Sequence, residues 1–151
     1  MIEEIEAPAR DKLPSFEGTT LDGETFRLDD YRGQPVVINI WGSWCVPCRT
    51  EAPALRRAST RFRSEDVQFV GINVRDNDAS AVAFERTFDI TYPSINTETS
   101  SEAMLAVSSV LPQSAVPSTI ILDDQGRVAA RVIGPGTYVT FETLINATLK
   151  S

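Results

Sequence analysis

An apolar, β-branched run leads directly into a closely spaced pair of cysteines, and this order restricts the folds open to the chain. The run is VVINIW at residues 36–41, and Cys45 and Cys48 follow it in WGSWCVPC. Nearly continuous apolar residues of this kind are typical of a strand buried on both faces. Apolar residues then recur at helical spacing to about residue 63, and residues 67–75 predict a second buried strand. Strand, helix and strand in this order predict a parallel pair joined by a right-handed crossover.

The rest of the sequence alternates between helical and strand patterns. A turn signal, Asp22-Gly23, separates two short alternating runs and predicts a β-hairpin near the start of the chain. The later patterns predict, in order, a helix, a short strand, a second helix, an antiparallel hairpin and a terminal helix, at residues 79–90, 92–96, 100–111, 118–134 and 137–150. We therefore expect one α/β domain with a central mixed sheet flanked by helices.

The start of the chain lacks any such pattern. It carries charges and two prolines without periodicity, so we predict a flexible lead-in or linker at residues 1–15 and the folded domain at residues 16–151. The start is acidic and has no apolar core of the kind found in a signal peptide, and no apolar run approaches the ~20 residues of a membrane span. Either the protein is cytosolic, or a targeting segment has been removed from this chain.

The composition excludes several classes of function. The chain has a formal net charge of −7, which argues against nucleic acid or an anionic membrane surface as a partner. It contains no histidine, which excludes histidine-based acid–base catalysis, a Cys–His pair and most zinc or non-haem iron sites. The two cysteines could hold a metal only together with carboxylates or across a dimer.

The spacing of the cysteines predicts redox chemistry. A disulfide between residues three apart closes a very small loop and removes little entropy from the unfolded chain, so a structural crosslink is a poor explanation. The alternatives are inert buried thiols or half of a zinc knuckle, but the knuckle lacks its second ligand pair. A helix beginning near Cys45 would lower the pKa of that thiol below its ordinary value of about 8.5. We therefore expect an exposed nucleophile at Cys45 and a sheltered resolving thiol at Cys48.

WCVPC after VVINIWGS, together with VPSTIILDDQGRV downstream, resembles the thioredoxin superfamily and, more closely, the bacterial TlpA/ResA-like thiol–disulfide oxidoreductases. The resemblance runs from about Phe16 to the C-terminus. It implies a thioredoxin-like fold with an N-terminal β-hairpin and with a helix–strand insertion, here at about residues 79–95, between the cysteines and a cis-proline. Asn39 stands where thioredoxin has a buried aspartate, and the ResA-like group shares an asparagine there. The peroxiredoxin branch fits poorly, because no threonine precedes the thiol in the loop.

The resemblance also implies roles for other residues. In AVPST, Pro117 matches the family's cis-proline, and a cis bond there would expose the backbone of Val116 for a short β-bridge to an extended substrate. Trp44 would shield one flank of the dithiol, or is simply a large core or surface aromatic. Glu51 lies one turn beyond Cys48, where ResA-like members carry an acidic residue. It would raise the pKa of the thiols and relay a proton, or is a glutamate on the helix surface.

These residues predict an enzyme, a thiol–disulfide oxidoreductase that reduces protein disulfides through Cys45 and Cys48 without a metal or other cofactor. By resemblance it acts outside the cytoplasmic membrane, anchored or secreted, rather than in the cytoplasm. Its electron donor would be a membrane thiol carrier of the CcdA/DsbD kind, and its client an apocytochrome c. We expect a monomer. The alternatives are a disulfide oxidase or isomerase, and a module that holds extended peptides at Val116 and Pro117 without redox chemistry.

Overall fold

A mixed β-sheet and four α-helices make up the fold in this computed structural model, which describes residues 1–112 and 114–151. The strands are β1 (Ile2–Glu4), β2 (Glu17–Thr19), β3 (Thr25–Arg27), β4 (Val36–Trp41), β5 (Gln68–Asn73), β6 (Ser94–Ile95), β7 (Ser118–Leu122) and β8 (Val128–Ile133). The helices are α1 (Val46–Phe62), α2 (Asp78–Phe88), α3 (Ser101–Val107) and α4 (Tyr138–Lys150).

The central sheet has six strands in the order β1-β8-β7-β4-β5-β6. β4, β5 and β6 run parallel, whereas β7 is antiparallel to both β4 and β8, and β1 is antiparallel to β8. The predicted mixed sheet is therefore confirmed, as is the parallel pair on either side of α1. β4 has neighbours on both edges and all six of its residues are buried, which explains its apolar sequence.

The two faces of the sheet carry separate apolar cores, because side chains along a strand alternate between faces. Ile38 and Ile40 of β4 join the core beneath α3 and the β2–β3 hairpin. Val37, between them, joins the core beneath α1 and α4. The cysteines belong to a third cluster, in which α1 and α2 meet the end of β4. The dithiol thus lies where the carboxyl end of the central strand meets two helices.

The predicted hairpin and turns are present with small differences in length. β2 and β3 pair antiparallel, and Gly23 in the turn between them has φ +87°, a backbone conformation that favours glycine. α3 ends at Val107, before the predicted end at residue 111. The hydroxyls of Ser108 and Ser109 donate to backbone carbonyls three residues earlier, which favours a turn over a continued helix.

The N-terminal segment differs from the predicted flexible lead-in. β1 pairs with β8 as an edge strand, and Arg10 forms an ion pair with Asp123 at 3.2 Å in which both side chains are buried. Leu13 is buried in the core beneath the hairpin. β1 has the sequence Ile-Glu-Glu, and all three of its residues are exposed. It therefore lacks the alternation of apolar and polar residues that marks a half-buried strand. Within the described residues, no helix has both the length and the apolar character that a membrane span requires.

Candidate active site

Cys45 and Cys48 lie where the chain passes from β4 into α1. They form a disulfide in this structure, with their Cα atoms 5.2 Å apart. Cys45 caps the N-terminus of α1, and its Sγ accepts a hydrogen bond of 3.2 Å from the backbone N–H of Cys48. The unpaired N–H groups of the first turn concentrate positive partial charge at this sulfur. The position therefore favours a thiolate on Cys45 when the pair is reduced.

The two cysteines do not differ in exposure as the sequence predicted. Cys45 is 3% exposed and Cys48 is 2% exposed, so the expectation of an exposed Cys45 does not hold in the disulfide form. Both side chains pack into an apolar cluster with Trp41, Ala52, Ala81 and Phe84. What distinguishes Cys45 is its place at the helix N-terminus rather than its contact with solvent.

A carboxylate that the sequence analysis missed fixes the loop before Cys45. Asp76 accepts hydrogen bonds from the backbone N–H and the hydroxyl of Ser43, at 2.7 and 2.8 Å. It also accepts from the amide of Asn73 and the backbone N–H of Asn77, at 3.0 and 2.9 Å. Burial alone would raise the pKa of Asp76, but these hydrogen bonds outweigh it and hold the pKa below its ordinary value. The sequence feature that could have identified Asp76 is its position just after β5. The parallel strands β4 and β5 end at the same edge of the sheet, so residues that follow them lie close together.

Glu51 is buried among neutral groups. It is 2% exposed, its Oε1 accepts from the Asn39 side-chain amide at 3.1 Å, and its Oε2 accepts from the Gly136 backbone N–H at 3.4 Å. Burial raises the pKa of Glu51 to about 8, although these two hydrogen bonds partly offset that rise. The alternative of a glutamate on the helix surface is therefore excluded.

Asn39 links Glu51 to the strand that follows Pro117. It is buried, as predicted, and its amide also donates to the Ser118 carbonyl at 3.3 Å and the Thr119 hydroxyl at 3.2 Å. Asn39 also lines a cavity of about 10 Å³ that Cys48 borders, a volume with room for no more than about one water molecule. Asn39 thus contacts Glu51 and lines the same small cavity as Cys48.

The peptide bond between Val116 and Pro117 is cis, as the resemblance implied. Pro117 is buried, and Val116 packs against the cluster that contains both cysteines. The N–H of Val116 donates to the Ser114 carbonyl at 3.0 Å. A β-bridge that used both backbone groups of Val116 would therefore have to displace Ser114 from this N–H.

Trp44 is a surface aromatic beside Cys45, which excludes a place in the core. Its side chain is 48% exposed, and its Nε1 donates to the Val74 carbonyl at 3.1 Å. The guanidinium of Arg75 lies 4.7 Å from the centre of its ring. A side chain at Gly42 would collide with the indole, so the glycine permits this placement. Among the described residues, no group of three His, Cys, Asp or Glu side chains could hold a metal ion.

Comparison with known proteins identifies a family and a set of relatives. The AhpC/TSA family model matches residues 9–131. The thiol–disulfide oxidoreductase ResA of Geobacillus kaustophilus is 32% identical over 129 residues, which cover 85% of this chain and 71% of that protein. ResA of Bacillus subtilis is 27% identical over 133 residues, covering 88% and 72%.

Solved structures agree with this assignment. A DsbF homologue from Corynebacterium diphtheriae superposes with a TM-score of 0.88 at 32% identity, over 97% of this chain and 92% of that one. A secreted thiol–disulfide isomerase from Corynebacterium glutamicum gives a TM-score of 0.91 at 29% identity, over 100% and 93%. A thiol:disulfide interchange protein of the thioredoxin family from Chlorobium tepidum gives 0.85 at 26% identity, over 93% and 97%. The predicted thioredoxin-like fold is confirmed.

Proposed function

The chain belongs to the AhpC/TSA family and to the ResA thiol–disulfide oxidoreductases, and we propose that it reduces disulfides of client proteins through Cys45 and Cys48. Membership confirms the predicted resemblance and the predicted class of enzyme. One observation carries the proposal for this chain. Its only two cysteines form a disulfide at the N-terminus of α1, where Cys45 Sγ accepts a backbone hydrogen bond and Val116 of the cis peptide packs against the pair.

The reaction moves two electrons and two protons from the dithiol to the client. The Cys45 thiolate attacks one sulfur of a client disulfide, so a Cys45–client disulfide forms and the first client thiolate leaves. Cys48 then loses its proton and attacks the Cys45 sulfur, which closes the Cys45–Cys48 disulfide and expels the second client thiolate. Each departing thiolate takes up a proton. A dithiol donor must then reduce the Cys45–Cys48 disulfide before the next turnover.

Glu51 is proposed to relay the proton of the second step: its ionised form accepts the proton that Cys48 loses, and its neutral form supplies a proton to the departing client thiolate. With a pKa of about 8, its carboxyl is mostly neutral at pH 7 and titrates close to an ordinary thiol. Proton transfer between groups of similar pKa costs little, and Asn39, which donates to Glu51, lines the same small cavity as Cys48. Because Glu51 is mostly uncharged at pH 7, its repulsion of a thiolate is weak there and grows only as the pH approaches 8.

Client contacts are proposed at Trp44, Val116 and Pro117. Trp44, the residue before Cys45, is half-exposed, and Val116 packs against the apolar cluster that contains the pair. A client in an extended conformation would pair with the backbone of Val116, exchanging its Ser114 contact for one to the client. The buried Pro117 holds this segment in place.

The setting of the reaction is also a proposal. We place the protein outside the cytoplasmic membrane, as a monomer that receives electrons from a membrane thiol carrier of the CcdA/DsbD kind and passes them to oxidised apocytochrome c. Support comes from the description of the Corynebacterium glutamicum relative as secreted. A C-x-x-C-H haem-attachment segment is also a client whose two thiols must be reduced before haem binds.

The test is electron transfer to a peptide that carries an oxidised C-x-x-C-H segment. We expect the reduced protein to reduce this peptide stoichiometrically, Cys48→Ser to accumulate the mixed disulfide, and Cys45→Ser to be inactive. If the favoured direction is instead electron flow from the reduced peptide to the oxidised protein, the protein is an oxidase. Equal peptide binding by the wild type and the double cysteine variant, without any exchange, would indicate the binding module.

A further inference from the structure

A groove of about 550 Å³ opens between α3 and the loops that follow β5 and precede β7. Its volume falls within the ~300–1,000 Å³ typical of ligand sites. Its walls are mostly apolar and include Ile40, Val74, Met104, Leu105, Leu111 and Val116. The groove is thus large enough and apolar enough to take up a large side chain.

Two of the residues that line the groove also contact the surroundings of the dithiol. Val116 lines it and also packs against the cluster that contains Cys45 and Cys48. Arg75 lines it as well, and its guanidinium lies over the ring of Trp44, the residue before Cys45. A client whose cystine is held at Cys45 would therefore pass the mouth of the groove within a few residues along its chain.

Arg75 is the charged side chain of the groove. Among the described lining residues it is the only one that carries a charge, and it is exposed. Contact with the Trp44 ring uses a face of the guanidinium, whose N–H groups lie in its plane and can bind a carboxylate. Its backbone has φ +51°, a conformation uncommon for residues other than glycine and asparagine. Such strained positions cluster at functional sites.

Exposed apolar side chains surround the same region. Leu105 on the groove wall is 75% exposed, and Trp44 and Val46 beside the cysteines are 48% and 71% exposed. Large apolar side chains in contact with solvent around a groove are typical of an interaction surface. The region thus combines an apolar cavity, an apolar rim and one positive charge on a chain with a net charge of −7.

We propose that this groove selects the clients of the reductase activity proposed above. Its occupant is an extended segment of a client polypeptide that carries a large apolar side chain close to its cystine and a carboxylate in the same segment. The apolar side chain enters the groove between α3 and Val116, and the carboxylate pairs with Arg75. Since the inference rests on the proposed function, its test must separate the two.

The test uses four peptides, each bearing one cysteine in a mixed disulfide with glutathione. They carry Phe or Ser at one neighbouring position and Glu or Lys at another, and glutathione disulfide itself is the reference substrate. For the reduced wild-type protein we expect kcat/KM to be about tenfold higher with Phe than with Ser. Glu should exceed Lys by about threefold.

Two pairs of variants locate these preferences. Ser108→Trp places a large side chain in the groove, and Ser109→Trp is its control, because both serines are exposed and only Ser108 lines the groove. Ser108→Trp should abolish the preference for Phe relative to the glutathione disulfide rate, and Ser109→Trp should retain it. Arg75→Gln should abolish the preference for Glu, whereas Arg86→Gln, on the exposed side of α2, should not.

A second readout is binding of the same peptides, with serine in place of cysteine, to the disulfide form of the protein. Retained binding preference without any reduction would contradict the proposed function alone. Normal reduction without preference for Phe or Glu, or preferences unchanged in Ser108→Trp and Arg75→Gln, would overturn the groove assignment. A wild-type dimer that Ser108→Trp converts to a monomer, or an acyl chain that blocks the groove more tightly than any peptide, would overturn it too.

Discussion

Glu51 and Asp123 are both almost fully buried carboxyl groups, but one lies among neutral groups and the other among cations. Glu51 accepts hydrogen bonds from the Asn39 amide and a backbone N–H near the dithiol. Asp123 follows the far end of β7 and accepts from the guanidinium groups of Arg10 and Arg127, at 3.2 and 3.0 Å. Two backbone N–H groups also donate to it.

The different surroundings move the two carboxyl groups in opposite directions. Burial would raise the pKa of both, but around Asp123 the hydrogen bonds and the arginine charges prevail and its pKa is lowered. Around Glu51 burial prevails and raises the pKa to about 8. Asp123 thus resembles a structural carboxylate that ties the N-terminal segment to the sheet, while Glu51 retains a proton near neutral pH, as catalytic groups often do.

Removing the carboxylate of Asp123 should have the largest effect on stability. Asp123→Ala leaves the guanidinium of Arg10 buried without its partner, and breaking a buried ion pair in this way costs about 3–5 kcal/mol. Urea denaturation measures the loss, and Asp124→Ala, at the exposed neighbouring position, is the control. The rate of disulfide exchange by the folded variant should stay at the wild-type value. A loss below about 1 kcal/mol would show that Asp123 is not the structural partner described here.

Glu51→Gln should have the largest effect on the chemistry. Without a titrating carboxyl, the step in which Cys48 closes the intramolecular disulfide should slow by about 100-fold, a typical contribution of proton transfer. Single-turnover release of the second client thiol measures this step, with the exposed Glu24→Gln as control. The wild-type rate should rise with pH as Glu51 ionises near pH 8, whereas in Glu51→Gln only the rise that comes from ionisation of the reduced Cys48 thiol should remain, so the two pH profiles should differ. An unchanged pH profile would limit Glu51 to a structural role.

The same substitution should alter how stability depends on pH. The folded protein holds the Glu51 proton more tightly than the unfolded chain, so the wild type should lose stability as the pH rises from the ordinary value of 4.5 to about 8. The loss is about 1.4 kcal/mol per pH unit within this window. The difference in free energy of unfolding between Glu51→Gln and wild type should grow with pH accordingly, as measured by denaturation of the disulfide forms. A constant difference would contradict the raised pKa.

Asp76→Asn should give the smallest of these effects. Asp76 accepts four hydrogen bonds from neutral groups, and an asparagine keeps the shape but loses the charge and one accepting oxygen. We expect a loss of about 1–2 kcal/mol in stability and a change of a few fold in the alkylation rate of reduced Cys45. Asp78→Asn, an exposed position in the first turn of α2, is the matched control. Equal alkylation rates in both variants would remove Asp76 from the positioning of the loop.

The sequence predicted the parts of the fold that depend on local pattern. β4 coincides with the apolar run VVINIW, and α1 begins directly after Cys45, because strand burial and the helix start both have strong local signals. β1 was missed because its three residues are exposed and are held only by pairing with a strand more than a hundred residues away. Local patterns carry little information about such distant pairing.

The burial of candidate site residues was harder to predict than their identity. The helical spacing of Glu51 is compatible with either a surface position or a buried one. Its burial follows from contacts with Asn39 on β4 and Gly136 in the loop before α4, which are distant in the sequence. The exposure of Cys45 was misjudged for a related reason. Its cover comes from side chains of α1, α2 and β4 packed together.

The reduction potential of the Cys45–Cys48 pair, measured by equilibration in dithiol and glutathione buffers, tests the proposed reductase function most directly. We expect a value near that of thioredoxin, about −270 mV, at which the dithiol is a reductant for client proteins. A value near −120 mV would make the pair a strong oxidant and contradict the proposed direction of electron flow. Failure of the two thiols to form a disulfide in any buffer would contradict the redox function itself.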